Sequence, residues 1–331
     1  MLFLLILLTA ACFILIIKGA DIFLDSAIYI AKKTGMSQVL IGATIVSVGT
    51  TLPEITVSTI AAIQGDFSLS VSNAVGSIFC NTAFILGVAF ICVSTVLNRK
   101  AFLGKIIFLI VTVTLILIFS LLGYFNIYEA LVLLALFAVY IVYNIYQAKR
   151  PQTDLIAEND GKPLKARKTS LVILMFVLGA LCIGAGAYFL IDAITKIAVD
   201  YLGVSTGILG VTVVALGTSL PELFTAITAV RKKSVQISMG NIIGANMING
   251  TFILGICGAI GRRFEINTHD TLYVATNGNI SSAVLCSVLG FAVILIAFVP
   301  ILFKGKTFKW QGYLLTGAYF SYILYLILAI A

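Results

Sequence analysis

The chain has 331 residues, of which 61% are hydrophobic and only 10% are charged. A soluble domain carries about 25% charged residues, so this composition predicts an integral membrane protein. One histidine and six cysteines without a CxxC pair argue against histidine-based zinc sites, Ser-His-Asp triads and disulfide frameworks.

Ten apolar runs are long enough to cross a membrane as helices. They predict an all-α integral membrane protein with ten transmembrane helices in the lipid bilayer. We number these runs as spans 1 to 10, which cover residues 2–31, 38–63, 70–97, 102–122, 125–147, 170–197, 204–230, 237–260, 280–303 and 310–330.

Span 1 is expected to be a retained helix rather than a signal peptide, because its apolar run has no clear small-residue cleavage site. It carries Lys18, Asp21 and Asp25 on neighbouring turns. These charges are expected to form an ion pair within the helix rather than a transport site.

Span 2 contains the sequence Gly-Thr-Thr-Leu-Pro-Glu at residues 49–54, in an otherwise apolar segment. Pro53 has no N–H for the carbonyl oxygen of Gly49, so the helix is predicted to break there and to free backbone oxygens. A carboxylate such as Glu54 is costly inside a membrane and indicates a functional site. Together with the neighbouring threonine hydroxyls, these groups form an all-oxygen shell of the kind that calcium prefers.

The same stretch occurs twice in the chain. A shift of 168 positions aligns residues 39–87 with residues 207–255 without a gap, and 17 of the 49 positions are identical. The identities concentrate at polar positions, whereas chance similarity between membrane helices would concentrate at Leu, Ile and Val. Because the copies are offset by five spans, an odd number, the two halves are predicted to be inverted, as in secondary transporters, with helices 2 and 7 broken. The halves are residues 1–148 and 170–331, joined by a cytoplasmic linker at 149–169.

Basic residues set the orientation of the spans. Seventeen of the 21 Lys and Arg residues are assigned to the loops after odd-numbered spans, and this count includes Lys105 near the start of span 4. The positive-inside rule therefore places these loops in the cytoplasm and both termini outside the cell membrane. The net charge of +8 follows from this topology, so no nucleic-acid partner is expected.

Polar residues recur at helical spacing in four of the spans, and polar faces turn inward in a membrane bundle. Two carboxylates in a dry pocket must be protonated, or neutralised by one divalent or several monovalent cations. That competition is a physical basis for exchange. The faces consist of Ser47, Thr50 and Glu54 in span 2, Asn73, Ser77 and Asn81 in span 3, Ala215, Thr218 and Glu222 in span 7, and Asn241, Ala245 and Asn249 in span 8.

The paired segments resemble the two alpha-repeats of the cation/calcium exchanger superfamily, most closely its sodium/calcium exchanger branch in the minimal prokaryotic or archaeal form. The resemblance rests on residues 49–54 and 217–222, and on Gly76-Ser77 and Gly244-Ala245 with the asparagines that follow them. It implies a monomeric antiporter of calcium and sodium ions without a cofactor, in which spans 1 and 6 slide across the core. It implies calcium ligands at Glu54, Glu222, Thr50 and Thr218, and sodium-binding or site-completing residues at Ser47, Thr51, Ser77, Asn81, Ala215, Ser219, Ala245 and Asn249.

Two positions depart from the family pattern. Ala245 stands where serine is usual, so one sodium site has lost a hydroxyl. Asn249 stands where potassium-dependent relatives have aspartate, which argues against potassium cotransport. Two other functions stay open, namely a proton/calcium antiporter of the same superfamily and a cation channel. An intramembrane enzyme is not expected, because the chain has neither a nucleophile–base pair nor an HExxH motif.

Overall fold

The computed structural model describes residues 2–94, 96–149, 168–201, 215–265 and 281–330. Three of the helices in these ranges contain a π turn, at Gly42–Val46, Asn81–Leu86 and Ile248–Ile253. In chain order the elements are α1 Leu2–Thr34, α2 Gln38–Thr50, α3 Leu52–Ile63, α4 Phe67–Cys92, α5 Arg99–Leu122, β1 Tyr124–Asn126, α6 Ile127–Ala148, α7 Thr169–Asp200, α8 Ala215–Thr218, α9 Leu220–Arg231, α10 Val235–Gly261, β2 Arg263–Glu265, α11 Ser282–Lys304 and α12 Lys309–Ile330.

Within the described ranges, eight helices are long and apolar enough to cross a membrane, and the pair α2–α3, bent by 50°, would make a ninth span. The predicted span 7 begins in residues 202–214, which lie outside those ranges, so α8 and α9 represent its remainder. Most of the predicted linker lies outside them as well. The helical membrane architecture is confirmed, with one addition, an antiparallel pairing of β1 with β2.

Helices α4 and α10 occupy the centre of the bundle. In their most apolar stretches 72% and 83% of the residues are buried, compared with 17% in α1. Neither central helix contains a charged residue, and both are rich in small and amide side chains that pack against protein. By contrast, α1 exposes large apolar side chains such as Phe3, Leu4 and Ile14, as expected for a helix that faces lipid.

Glycines allow α2 to cross α10 at backbone contact. A Cβ atom added to Gly42 would lie 2.4 Å from the carbonyl oxygen of Ile237, and one added to Gly240 would lie 2.4 Å from that of Val39. Gly240 and Gly244 are four residues apart, the small-residue spacing with which membrane helices approach closely. This crossing places the end of α2 beside the polar residues of α10.

Helices α1 and α7 pack against each other in a second apolar cluster, which is separate from the main core around α4, α5, α10 and α11. Their contact is close because it also runs along glycines. A Cβ atom on Gly179 would lie 2.8 Å from the backbone nitrogen of Phe23, and one on Gly19 would lie 2.9 Å from the Cβ atom of Cys182. The two helices therefore form a tight pair that lies against α2 and α9.

The predicted ion pair within α1 was assigned the wrong partner. Asp21 and Asp25 pair with Lys232, which follows α9, and the Nζ atom of Lys232 lies 2.8 Å from Asp25 Oδ1 and 3.6 Å from Asp21 Oδ1. Lys232 is held over α1 because it also donates to the backbone oxygen of Asp21, at 2.8 Å. The pair therefore joins two helices instead of bracing one.

The structure places Lys105, one of the basic residues assigned to the loops, inside α5. The helix begins at Arg99, where the Asn98 side chain accepts a hydrogen bond from the backbone N–H of Lys100 at 3.0 Å. Lys105 is consequently only 2% exposed. Its ammonium group lies 5.4 Å from the centre of the Tyr143 ring, a cation–π contact.

The crossing of α2 and α10 predicts a strong effect of a single methyl group. Gly240→Ala should lower the free energy of unfolding by about 1–3 kcal/mol, because the added Cβ overlaps the α2 backbone. Thermal unfolding of the purified protein in detergent measures the effect. Gly184→Ala in α7 is the matched control, since a Cβ there meets no described atom within 4 Å. Equal melting temperatures for the two variants would contradict the close crossing.

Candidate ion-binding site

The two Gly-Thr-x-Leu-Pro-Glu segments form helix breaks of the same geometry. Thr51 lies between α2 and α3, Ser219 lies between α8 and α9, and both have φ −86° and ψ 3°. This sparsely populated region lies between helical and extended backbone and suits a turn. Pro53 and Pro221 then fall in the first turn of the next helix, where no N–H is needed for an intrahelical bond. The break predicted from Pro53 therefore occurs two residues before it.

Each break places a glutamate in the first turn of the following helix. Glu54 is the third residue of α3 and Glu222 is the third residue of α9, and both are 0% exposed. The positive end of the helix dipole stabilises a carboxylate at this position. The end of the preceding helix contributes carbonyl oxygens to the same region. Buried carboxylates, hydroxyls and carbonyl oxygens together have the chemistry of a cation site.

Two equivalent hydrogen bonds connect the breaks to the central helices. Thr50 Oγ1 donates to Asn241 Oδ1 of α10 at 3.1 Å, and Thr218 Oγ1 donates to Asn73 Oδ1 of α4 at 3.2 Å. The two bonds are equivalent in the repeat, because 168 residues separate Thr50 from Thr218 and Asn73 from Asn241. Each threonine uses its hydroxyl proton in this hydrogen bond. The lone pairs of its oxygen therefore stay available to a cation.

The asparagines in these two bonds use both ends of their amides. Asn73 Nδ2 donates to Ser58 Oγ at 2.9 Å, and Asn241 Nδ2 donates to Thr225 Oγ1 at 3.3 Å. They therefore orient the threonines, and both ends of each amide are already engaged in a hydrogen bond.

One further bond crosses directly between the two breaks. Thr51 Oγ1, at the end of α2, donates to Glu222 Oε1 in α9 at 3.2 Å. The Oε1 atom of Glu222 therefore has a hydrogen-bond donor. The other oxygen of Glu222 lacks one among the described residues.

Eight buried polar atoms of the site have no hydrogen-bond partner in the described part of the chain. A buried polar atom left unpaired costs about 1–3 kcal/mol, and a charged one costs more. Seven of the eight are oxygens, so a cation is the ligand that would satisfy them. The atoms are Glu54 Oε1 and Oε2, Glu222 Oε2, Ser77 Oγ, Ser219 Oγ, Asn81 Oδ1, and Asn249 Oδ1 and Nδ2.

The structure buries nearly every residue that the sequence analysis singled out. Ser47 donates its hydroxyl proton to the backbone oxygen of Thr44 at 3.0 Å and packs against Gly244, next to Ala245. Ala215 begins α8, and its side chain lies outside the described atoms. The buried members are Ser47, Thr50, Thr51, Glu54, Ser77, Asn81, Thr218, Ser219, Glu222, Ala245 and Asn249.

Sequence analysis missed Asn246, which lies next to Asn81. Its Oδ1 atom accepts from Asn81 Nδ2 at 3.2 Å, and its Nδ2 atom donates to Thr82 Oγ1 at 2.8 Å. The repeat aligns Asn246 with Ile78, so the identities between the halves gave no sign of it. The available signal was an amide within an apolar helix.

A cavity of about 820 Å³ lies between α3 and α7 and reaches the site. Thr50 and Pro221 line its inner end, and Gln64, which follows α3, lies at the other. Its walls are mostly apolar and include Ile60 and Phe176. The cavity therefore extends from the site along the length of α3.

Comparisons with known sequences agree with this architecture. The family model described as sodium/calcium exchanger protein matches residues 4–146 and 171–328. The sodium/calcium exchanger MaX1 of Methanosarcina acetivorans is 30% identical over 282 residues, which cover 74% of this chain and 80% of that protein. The inner membrane protein YrbG of Escherichia coli is 33% identical over 250 residues, which cover 73% and 76% of the two chains.

Solved structures give the same result. The sodium-calcium exchanger NCX_Mj, soaked with 2.5 mM Na⁺ and 1 mM Sr²⁺, matches with a TM-score of 0.79 and 25% identity over 98% of this chain and 99% of that one. The same exchanger soaked with 100 mM Na⁺ and 10 mM Sr²⁺ also matches with a TM-score of 0.79. The chain therefore belongs to the sodium/calcium exchanger protein family of membrane cation exchangers.

Proposed function

We propose that this protein exchanges sodium for calcium across the membrane by alternating access at the buried site. The observation that carries the proposal is the group of unpartnered polar atoms around two fully buried carboxylates. Two uncompensated charges are strongly unfavourable in such a place, so the site needs bound positive charge. One calcium ion supplies two charges at once, whereas sodium ions supply them singly, and the two species compete.

The donor set divides into charged and neutral ligands. Calcium binds Glu54, Glu222 and the oxygens of Thr50 and Thr218, whose hydroxyl protons are directed toward asparagine oxygens. Sodium binds neighbouring neutral oxygens, in part those of the backbone, and two asparagines complete the centre. These residues are Ser47, Thr51, Ser77, Asn81, Ala215, Ser219, Ala245 and Asn249.

The neutral oxygens favour sodium over protons as the coupling ion. A proton needs only a carboxylate in a dry pocket, whereas sodium needs a shell of several oxygens. Ser77, Ser219, Asn81 and Asn249 each bury an unpartnered neutral oxygen, and a pure proton exchanger would leave all four without a ligand. Proton/calcium antiport is the second candidate, because both carboxylate oxygens of Glu54 also lack partners among the described residues.

The cavity beside α3 favours an exchanger over a channel. It runs along α3 as far as Thr50 on one side of the site, which fits alternating access better than a continuous pore. In a channel, calcium flux would not require a counter-ion. We assign neither an enzymatic activity nor a cofactor to this chain.

The proposal includes ten membrane helices in two inverted five-helix repeats, with the halves at residues 1–148 and 170–331 and a cytoplasmic linker at 149–169. The equal torsion angles of Thr51 and Ser219 support it, as do the two hydrogen bonds related by the 168-residue shift. Both termini lie outside, and the protein works as a monomer.

The pair α1–α7 is the moving part in this mechanism. It has its own apolar cluster, and α7 forms one wall of the cavity. Sliding the pair along α2 and α9 would close the cavity at the outer end and open a path from the cytoplasm. Lys232 would then have to leave Asp21 and Asp25, because these carboxylates belong to the moving helix.

The proposed orientation is testable with cysteine labelling. Lys306→Cys should react with a membrane-impermeant thiol reagent only from the cytoplasmic side, and Lys196→Cys only from outside. Both positions are exposed. The exposed native Cys92 is first replaced by Ser, and that background variant is the control. Labelling of both positions from one side would rule out this topology.

The two carboxylates should be indispensable. Glu54→Gln and Glu222→Gln keep the side-chain shape but remove a charge from a desolvated site, which costs about 3–5 kcal/mol and should weaken calcium binding roughly 100-fold or more. Calcium exchange in proteoliposomes should be abolished.

Asp21→Asn is the matched control for these variants. Asp21 has a side chain 31% exposed and belongs to a peripheral ion pair, so the change should be less than about fivefold. Near wild-type exchange by a folded Glu54→Gln or Glu222→Gln protein would show that the site is misplaced.

The coupling ion can be identified in proteoliposomes with one gradient imposed at a time. An outward sodium gradient should drive calcium uptake, whereas a proton or potassium gradient alone should drive it poorly. Uptake should respond to membrane voltage if more sodium charge than calcium charge moves. Acid pH should inhibit, because protons compete for the same carboxylates.

Two substitutions at equivalent positions sharpen this test. Ser77→Ala removes a neutral oxygen. It should weaken the affinity for sodium by about 0.5–1.5 kcal/mol, or roughly two- to tenfold, with a smaller effect on the affinity for calcium. Ala245→Ser adds the equivalent hydroxyl and should strengthen sodium dependence. Calcium uptake that ignores sodium and follows a pH gradient would instead support the proton antiporter.

A further inference from the structure

Asn246 forms the centre of a short hydrogen-bond chain beside the proposed ion site. It is fully buried in α10, and both ends of its amide are used. Its oxygen holds the Nδ2 atom of Asn81 at 3.2 Å, and its nitrogen is anchored on Thr82 Oγ1 at 2.8 Å. Asn81 therefore has its nitrogen engaged, while its Oδ1 atom is buried with no partner among the described residues.

Within the described residues, no such hydrogen-bond chain reaches Asn249, the residue equivalent to Asn81 in the repeat. The 168-residue shift that aligns Asn246 with Ile78 also aligns Asn81 with Asn249 and Thr82 with Gly250. Ile78 is only 2% exposed. Its Cδ1 atom would lie 3.3 Å from a Cβ atom on Gly250. An apolar contact thus takes the place of the amide–hydroxyl contact, and neither amide atom of Asn249 has a described partner.

The buried asparagines around the site therefore differ in how firmly they are held. Asn73, Asn241 and Asn246 use both ends of the amide, as purely structural amides do. Asn81 uses only its nitrogen, and Asn249 uses neither end within the described part of the chain. A side chain whose only role was to join α4 to α10 would not leave a buried oxygen unsatisfied. Asn81 therefore has an oxygen available to a ligand, and Asn246 fixes the orientation of the Asn81 amide.

We propose that Asn246 is a positioning residue that holds the Asn81 amide with its oxygen free for the ion, whereas Asn249 is oriented by whichever ion is bound. The inference rests on the proposed cation site. A cation binds the oxygen of an amide and is repelled by its NH₂ group, so rotation of a free amide weakens binding. Fixing one side chain in advance avoids an ordering cost of about 0.5–1.5 kcal/mol.

The proposal is tested by a double-mutant cycle between Asn246 and Asn81. Asn246→Leu keeps the approximate volume and removes both hydrogen bonds, and Asn81→Ala removes the ligand itself. Equilibrium binding of radioactive calcium to the purified protein in detergent gives the apparent Kd. Asn246→Leu should weaken binding about three- to tenfold, Asn81→Ala at least as much, and the double variant no more than Asn81→Ala alone.

Additive effects would overturn the proposal, because Asn246 would then act independently of Asn81. An unchanged calcium Kd for Asn246→Leu would overturn it as well. Thermal unfolding without ions accompanies each measurement, since a purely structural role would lower the melting temperature without this non-additivity.

A second series of variants tests the same proposal if Asn246→Leu does not fold. Thr82→Val removes the hydroxyl that anchors Asn246 and keeps the shape, so it should show part of the loss in calcium affinity. Thr82→Ser should restore the affinity. Ile78→Val, at the position equivalent to Asn246, breaks no hydrogen bond and should leave the Kd unchanged. Equal Kd values for Thr82→Val and Thr82→Ser would contradict the anchoring role.

The wild-type protein separates failure of this inference from failure of the proposed function. If it neither binds calcium nor takes it up against sodium, the cation site and the inference both fall. If wild-type exchange is normal but the cycle is additive, the exchanger proposal stands and the role of Asn246 is wrong.

Discussion

The burial of two like charges is the constraint on which the rest of the molecule depends. Glu54 and Glu222 are both 0% exposed in the interior of a helix bundle. Buried carboxylates are stable only if nearby groups compensate their charge. The helix breaks at Thr51 and Ser219 provide part of this compensation, because each is followed by a new helix whose positive end lies at the carboxylate. A continuous helix would have placed both groups against neutral, fully bonded backbone.

Close backbone contact is the second requirement, and small residues provide it. Gly240 and Gly244 let α2 lie against α10, which places Thr50 within hydrogen-bond distance of Asn241. A larger residue at either glycine would separate the two helices and lengthen that bond. The polar chemistry of the site and the apolar packing of the bundle are therefore not independent, because the same crossing determines both.

Some of this arrangement could be predicted from sequence, and the reason is local. A proline without an N–H and a carboxylate in an apolar run act within a few residues of themselves, so Pro53 and Glu54 reveal a break and a site without a structure. The partners across helices could not be predicted. That Lys232 reaches Asp25, or that Asn246 holds Asn81, depends on how distant segments pack. The alignment of the two halves gives no sign of Asn246, because it aligns with Ile78 and is not among the identities.

The way in which the two halves satisfy each other has a consequence for biosynthesis. The polar residues of α4 find their partners in the second half, where Asn73 meets Thr218 and Asn81 meets Asn246. The strand β1 likewise pairs with β2, which lies beyond α10. While the chain is being made, the first half enters the membrane with these amides facing lipid or one another. It can form these contacts only when α10 is inserted, so the first half cannot complete its folding before the second half is made.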